Sequence, residues 1–368
     1  MDFSISDDHR AIRDGVATVV RRFDDEYWLA RDEDGAFPAE FHRAMAEAGW
    51  LGITMPAEYG GAGLGVTEAA IMMNEVASHG GGMSATSAVH INLFGPHPIV
   101  VKGSEEQKRR WLPRLIEGKD QCCFGFTEPD AGLNTTAIKT FAEKVPGGYV
   151  VHGQKVWTST TQVANKIMLL TRTTRLEDCA RPTGGITIFY TDLDRSKIEV
   201  RRIPTMGRKA VDSNALFIDG LFIPEADRIG EEGQGFGAIL HSLNPERVLI
   251  AAEAIGLGHD ALRRATRYAR ERVVFGRPIG ENQGIQHPLD GAGGGLGDDH
   301  EGGLALRRRA APAARRPTPP SSWARERATR PRSAPSSPTA ASAMPRNTTS
   351  SGCSARSPSP ASRPSPSS

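Results

Sequence analysis

Apolar residues recur at three-to-four spacing through the first third of the chain. Ile12, Val16, Val19, Val20 and Phe23 mark one helical stripe, with Asp7 or Asp8 placed to cap it. Pro38 opens a second helix, Ala39 to Ala48, which stops at Gly49-Trp50. Residues 52–65 are a glycine-rich turn. No strand feeds it and no Lys-Ser/Thr follows, so it is not a P-loop. Val66 to Ser78 and Ser84 to Val101 are apolar enough to be two buried helices. Ser104 caps a short helix with Glu105 and Glu106 in its first turn and bases later, as the helix dipole favours.

Near residue 121 the period changes from helical to alternating. Cys122 to Phe126, Gly148 to Trp157, Ala164 to Thr171, Gly185 to Tyr190 and Ile198 to Ile203 read as short strands with turn signals between them. Asn214 to Pro224 reads as a further pair. Such a succession predicts a barrel or sandwich rather than a parallel nucleotide-binding sheet. Helix returns at Gly233, with an apolar face of Leu243, Val248, Ile250, Ala251, Ala254, Ile255 and Leu257 interrupted by Pro245-Glu246-Arg247. Asp260 to Val274 reads as a second, arginine-dense helix antiparallel to the first. The expected fold class is therefore α+β: an N-terminal helical domain over 1–120, a β-domain over 121–232, and the first helices of a C-terminal bundle over 233–289.

Composition narrows the functions. The 368 residues carry a net charge of only +2, which gives no reason to expect nucleic acid or an anionic surface as partner. No apolar run approaches a membrane span, and the first residues lack the basic and apolar regions of a signal peptide, so a cytoplasmic location is expected. The four cysteines show neither disulfide-framework nor zinc spacing, and reduced thiols are the default.

The chemistry concentrates between Gln121 and Thr160. One strand ends at Thr127-Glu128-Pro129-Asp130-Ala131-Gly132 and another at Lys155-Val156-Trp157-Thr158-Ser159. Small, aromatic and hydroxyl residues at two strand ends make a flat slot with hydrogen-bond donors at its rim. An ordinary β-barrel with ordinary turns reads equally well from these residues alone. The pattern T-E-P-x-x-G followed by G-x-K-x-W-x-[ST] resembles the flavin-binding strands of acyl-CoA dehydrogenases, and the similarity extends from Phe3 to about Leu289.

That resemblance implies FAD as cofactor and the α,β-dehydrogenation of an acyl-CoA thioester to the trans-2-enoyl-CoA. It implies cofactor contacts from Phe124, Phe126, Thr127, Gly132, Trp157, Thr158 and Ser159. Arg272, Phe275 and Gln283 are expected to contact the FAD of a neighbouring subunit. The sequence Asn244-Pro245-Glu246-Arg247 matches one of the family's two arrangements for its base, which makes Glu246 the expected catalytic residue. A glutamate on an apolar helical face has its pKa raised by desolvation, as a general base near neutrality requires. Asn244, Arg247 and Leu133 are expected on the substrate side. Leu133 stands where the family commonly has a serine that meets the CoA arm, a departure that leaves the acyl chain and its carrier open. An electron-transferring flavoprotein is the implied acceptor and a homo-oligomer the implied assembly. An acyl-CoA oxidase or a nitroalkane-oxidising relative would share every motif named, whereas an inactive flavin-fold protein would keep Trp157 and Ser159 but tolerate loss of Glu246 activity.

Beyond Leu289 the character changes. Residues 291–303 are nearly all glycine and acid, and 307–368 are Pro, Ser, Ala, Arg and Thr without apolar periodicity. Such a composition cannot pack a core. In alternative reading frames the bases fixed by these residues permit strings that resemble the family's C-terminal helices. Two single-base indels, near Leu289 and near Ala310 to Ala313, are therefore expected. A chain made as written would lack half of its C-terminal bundle.

Overall fold

A computed structural model describes residues 6–296. The tail expected to be disordered or out of frame lies outside the described residues from 297 onward.

The N-terminal part is helical: α1 (Asp7–Val20), α2 (Asp25–Asp34), α3 (Ala39–Glu47), α4 (Val66–Ala77), α5 (Gly82–Phe94), α6 (His97–Lys102) and α7 (Glu105–Ile116). The cap of α1 is Ser6, whose side chain accepts from the His9 N–H; Asp7 and Asp8 sit inside the first turn instead. Ser104 caps α7 with a reciprocal bond from Gln107. The single helix expected from Ser84 to Val101 is two, α5 and α6, because Gly95-Pro96 ends the first.

The middle is one sheet built from β1 (Cys122–Gly125), β2 (Phe141–Val145), β3 (Gly148–Ser159), β4 (Lys166–Arg172), β5 (Ile186–Asp192), β6 (Ile198–Arg202), β7 (Ser213–Pro224) and β8 (Arg228–Ile229). Its order is β6-β7-β3-β2-β4-β5-β8, with β1 paired in parallel to β4. The pair of strands expected from Asn214 to Pro224 is a single strand. Gly220, at φ +69°, absorbs a register shift against Val151 and His152, so the chain passes through without a turn.

The third part is α8 (Gly235–Glu271), then a two-residue ladder of β9 (Val273–Val274) and β10 (Arg277–Pro278), then α9 (Gln283–Leu296). Two helices were expected where α8 is one of 37 residues. Pro245 lies inside it, at the cost of one bond to the His241 carbonyl. Asp260, where the second helix was expected to start, lies within α8 and pairs with Arg263 and Arg264 one turn on. The buried face also differs from the expected one. Val248, Leu249, Ala252 and Glu253 are buried, whereas Ile250 and Ala254 are exposed. Packing on α4 selects this face, since a Cβ at Gly256 would meet the Asn74 carbonyl at 2.3 Å. Helix α9 continues to Leu296, past the expected boundary at 289. No helix among the described residues is long and apolar enough to cross a membrane.

Buried residues of α1, α3, α4 and α5 form one core with Val248, Leu249 and Ala252 of α8. A second core joins α7, β1, β4 and β5 to the start of α8. The site lies where α5, α8 and the ends of β1, β3 and β7 meet.

Candidate active site

The two pieces of the motif are joined by the fold. The Val156 N–H donates to the Thr127 carbonyl at 2.9 Å, which lays the end of β3 against the residues after β1. Beneath it, Lys155 Nζ donates to Glu128 Oε1 at 2.8 Å and to the Phe126 carbonyl at 3.2 Å. Glu128 also accepts from the backbone N–H groups of Lys139 and Thr140. Burial would raise its carboxyl, but Lys155 and these donors outweigh that and hold it below the ordinary range.

Above the pair, β3 slips register against β7 between Lys155 and Thr158. The slip carries Trp157 into the left-handed region, at φ +60°, and leaves the residue 60% exposed. A bulky residue seldom adopts this conformation, and such outliers cluster at functional sites. Ser159 is half-buried, and its Oγ accepts from Arg208 Nη2 at 3.1 Å. That acceptance turns the serine's own proton outward as a donor. The Thr127 hydroxyl makes no hydrogen bond among the described residues, and the space over Gly132 is open. A planar heterocycle with ring acceptors fits this set: two hydroxyls free to donate, an exposed indole and a glycine offering close approach.

Some expected residues stand apart. Thr158 is fully buried on the opposite side of β3, so its side chain is not brought to the slot, and its Oγ1 has no hydrogen-bond partner among the described residues. Strand alternation alone decides this. Phe126 is buried and Phe124 half-buried, stacked on each other at 3.7 Å, with Phe124 edge-on to Phe94. Leu133 is fully exposed in the turn after Ala131. Arg272 and Gln283 are exposed, and Phe275 projects wholly from the ladder at φ +52°. None of these three shares a hydrogen bond with the Thr127–Ser159 region.

Glu246 sits half-buried on α8. Its carboxylate makes no hydrogen bond and no ion pair among the described residues. The neighbouring Arg247 instead donates to Asn244 Oδ1 at 2.6 Å, and both of these are exposed. Desolvation raises the pKa of Glu246, opposed by the charges of His90 and Arg247 and supported by Glu253.

Three polar residues in this region were not anticipated. His90 of α5 pairs with Glu253 of α8 at 2.9 Å, and both are buried. Glu253 Oε2 has no hydrogen-bond partner among the described residues. Glu253 lies seven residues after Glu246, two turns along the same helical face. Arg208, in the loop before β7, bonds Ser87, Ser159 and Ser213. His90 and Glu253 carried a legible signal, as lone polar residues within V-H-I and A-A-E-A-I; Arg208 carried none.

Comparison with known proteins agrees along the chain. Residues 6–119 match the acyl-CoA dehydrogenase N-terminal domain, 123–221 its middle domain and 233–290 its C-terminal domain. A benzylmalonyl-CoA dehydrogenase of Aromatoleum aromaticum is 36% identical over 303 residues, covering 80% of this chain and 77% of that one. Acyl-CoA dehydrogenase FadE12 of Mycobacterium tuberculosis is 32% identical over 298 residues, covering 78% and 73%. The solved structure of a glutaryl-coenzyme A dehydrogenase glutaryl-CoA complex is 28% identical, with a TM-score of 0.76 over 84% of this chain and 78% of that chain. The motif strands, the fold around them and these matches identify the chain as a member of the acyl-CoA dehydrogenase family of oxidoreductases.

Proposed function

We propose that this chain dehydrogenates an acyl-CoA thioester across its α and β carbons, giving the trans-2-enoyl-CoA, with Glu246 as the base that takes the α-proton. The observation that carries this reading is the state of Glu246: a desolvated carboxylate with no hydrogen bond or ion pair among the described residues, on α8 within electrostatic reach of the buried His90 and Glu253. An unpaired carboxylate with a raised pKa is a stronger base than a paired one, and at neutral pH it remains able to accept a proton. Thr127 and Ser159 would hold the ring of FAD by donating to it, with Trp157 as an aromatic wall. FAD, when bound, supplies the acceptor for the β-hydride. Arg208 orients the Ser159 hydroxyl, while Glu128 and Lys155 lock the two strand ends that carry these donors.

Further features support the assembly that the family resemblance implies. Phe275 is a large apolar side chain standing clear of its own subunit, with Arg272 and Gln283 exposed close by in the chain. A neighbouring subunit's cofactor is the partner for that group in a homo-oligomer, and an electron-transferring flavoprotein is the acceptor. Glu246→Gln tests the assignment. Turnover with an artificial electron acceptor falls by about 10²-fold or more, the range of a lost general base. In the wild type, turnover declines as pH drops through the raised pKa of Glu246, because the protonated form cannot accept. Unchanged turnover in the variant would move the base elsewhere, and peroxide formed in air at the rate of substrate loss would replace dehydrogenase by oxidase.

A further inference from the structure

Keeping a guanidinium half-buried without an acid beside it is costly unless something else answers its charge. Arg208 is in that state. Its bonds go to three neutral hydroxyls: Ser87 of α5 at 2.9 Å, Ser159 of β3 at 3.1 Å and Ser213 of β7 at 3.5 Å. No carboxylate oxygen lies within 4.0 Å of it among the described residues. Two acids act on its charge from beyond contact, and each has an oxygen engaged by another residue. Asp212 accepts from the Gln162 N–H and the Asn214 side chain, and Glu253 accepts from His90. Their charges reach Arg208 only from beyond contact, and burial outweighs them, so the guanidinium is held below its ordinary pKa.

The backbone gives a second, independent observation. Arg208 has φ +58°, a conformation that costs a non-glycine residue roughly 1 kcal/mol or more. Its predecessor, Gly207, would bear such a conformation freely. The strain falls instead on Arg208, whose side chain meets Ser159 of the site. Helices α5 and α8, which carry Ser87 and Glu253 around Arg208, also carry His90 and Glu246. The guanidinium and the base therefore belong to one set of walls.

We propose that Arg208 receives a carboxylate carried by the acyl chain, so that the thioester this enzyme takes is that of a dicarboxylic acid. The inference rests on the acyl-CoA reading of the site and names its substrate class. A guanidinium offers five donors in a planar fork, of which the serines occupy three, and a carboxylate is the anion whose two oxygens match the fork. An incoming carboxylate supplies the charge that the hydroxyls do not. A site built around such a group discriminates strongly against an analogue that lacks it.

Calorimetric titration of the purified full chain with matched thioesters tests this without turnover. Glutaryl-CoA is compared with valeryl-CoA, and adipyl-CoA with hexanoyl-CoA. The diacid of at least one pair binds about tenfold or more tighter, and in Arg208→Gln that ratio falls to about one, with partial recovery in Arg208→Lys. Melting curves report whether the variants fold; where they do not, the wild-type ratios decide alone. Equal affinities within both pairs overturn the proposal, as does a ratio that survives in Arg208→Gln. Loss of FAD affinity in Arg208→Gln with no preference between thioesters also overturns it, by assigning the guanidinium to the cofactor's diphosphate. Binding of none of the four thioesters would sink the acyl-CoA reading itself, a distinguishable result.

Discussion

Lys155 Nζ and Glu128 Oε1 lie 2.8 Å apart, and both side chains are buried. Together with the Val156 N–H bond to the Thr127 carbonyl, this contact ties the strand end after β1 to the last residues of β3. Burial draws the Lys155 ammonium down to about 8, so the pair is held by geometry against desolvation. Removing one partner strands the other. Lys155→Met is expected to destabilise the protein by about 3–5 kcal/mol, and adding Glu128→Gln restores most of that loss. Urea unfolding of the two single variants and the double measures the coupling; additive effects would show that the pair is not a unit.

Trp157 stores strain. At φ +60° it sits where glycine would sit without penalty, yet the position holds the largest side chain available. Trp157→Gly is expected to leave the apoprotein as stable as the wild type or up to about 1 kcal/mol more so, because relief of strain offsets the lost ring. The same change should weaken flavin binding by about tenfold or more, since an aromatic wall is worth roughly 1.5 kcal/mol. Fluorescence titration with FAD and a thermal melt of the apoprotein check both halves. A large loss of apoprotein stability would mean that Trp157 serves the fold and not the ligand.

His42 predicts a pH dependence. It is buried in α3, its Nε2 meets the Asn92 side chain at 3.0 Å, and Asn92 Oδ1 accepts from the Cys122 N–H at the start of β1. Desolvation lowers its pKa from 6.5 to about 4. Between those values the unfolded chain binds a proton that the folded chain refuses, so stability is present above pH 6.5 and lost as pH falls toward 4. The loss from this group is on the order of 3 kcal/mol. Urea midpoints across that window should slope less in His42→Gln; parallel slopes would exclude the assignment.

Much of this arrangement was legible in the chain, for identifiable reasons. The change of period near residue 121 and its reversal near 233 report one-sided burial, which local sequence encodes directly. The T-E-P and K-x-W segments read correctly as neighbouring strand ends, because backbone pairing and Lys155–Glu128 both act there. Helix α8 did not read as one element. Pro245 and Asp260 look like breaks, but packing against α4 over two turns at Leu249, Ala252 and Gly256 outweighs one lost backbone bond. The His90–Glu253 pair joins residues 163 apart, and Arg208 meets Ser87 across 121. No local pattern encodes such separations.

The C-terminal sequence makes a genetic prediction. The match to the family's C-terminal domain ends at residue 290, next to the position where the reading frame is expected to change. Resequencing the locus should reveal one single-base indel near Leu289 and another near Ala310 to Ala313. A clean read, with codons that forbid the family-like strings in both other frames, would reject this.

The account as a whole turns on Glu246 acting in a flavin site. The direct measurement is anaerobic mixing of the flavin-loaded protein with an acyl-CoA while the flavin absorbance is followed. The wild type is expected to bleach on mixing. Glu246→Gln is expected to keep its flavin spectrum and to bleach about a hundredfold more slowly or not at all. Bleaching of Glu246→Gln at the wild-type rate would contradict the account.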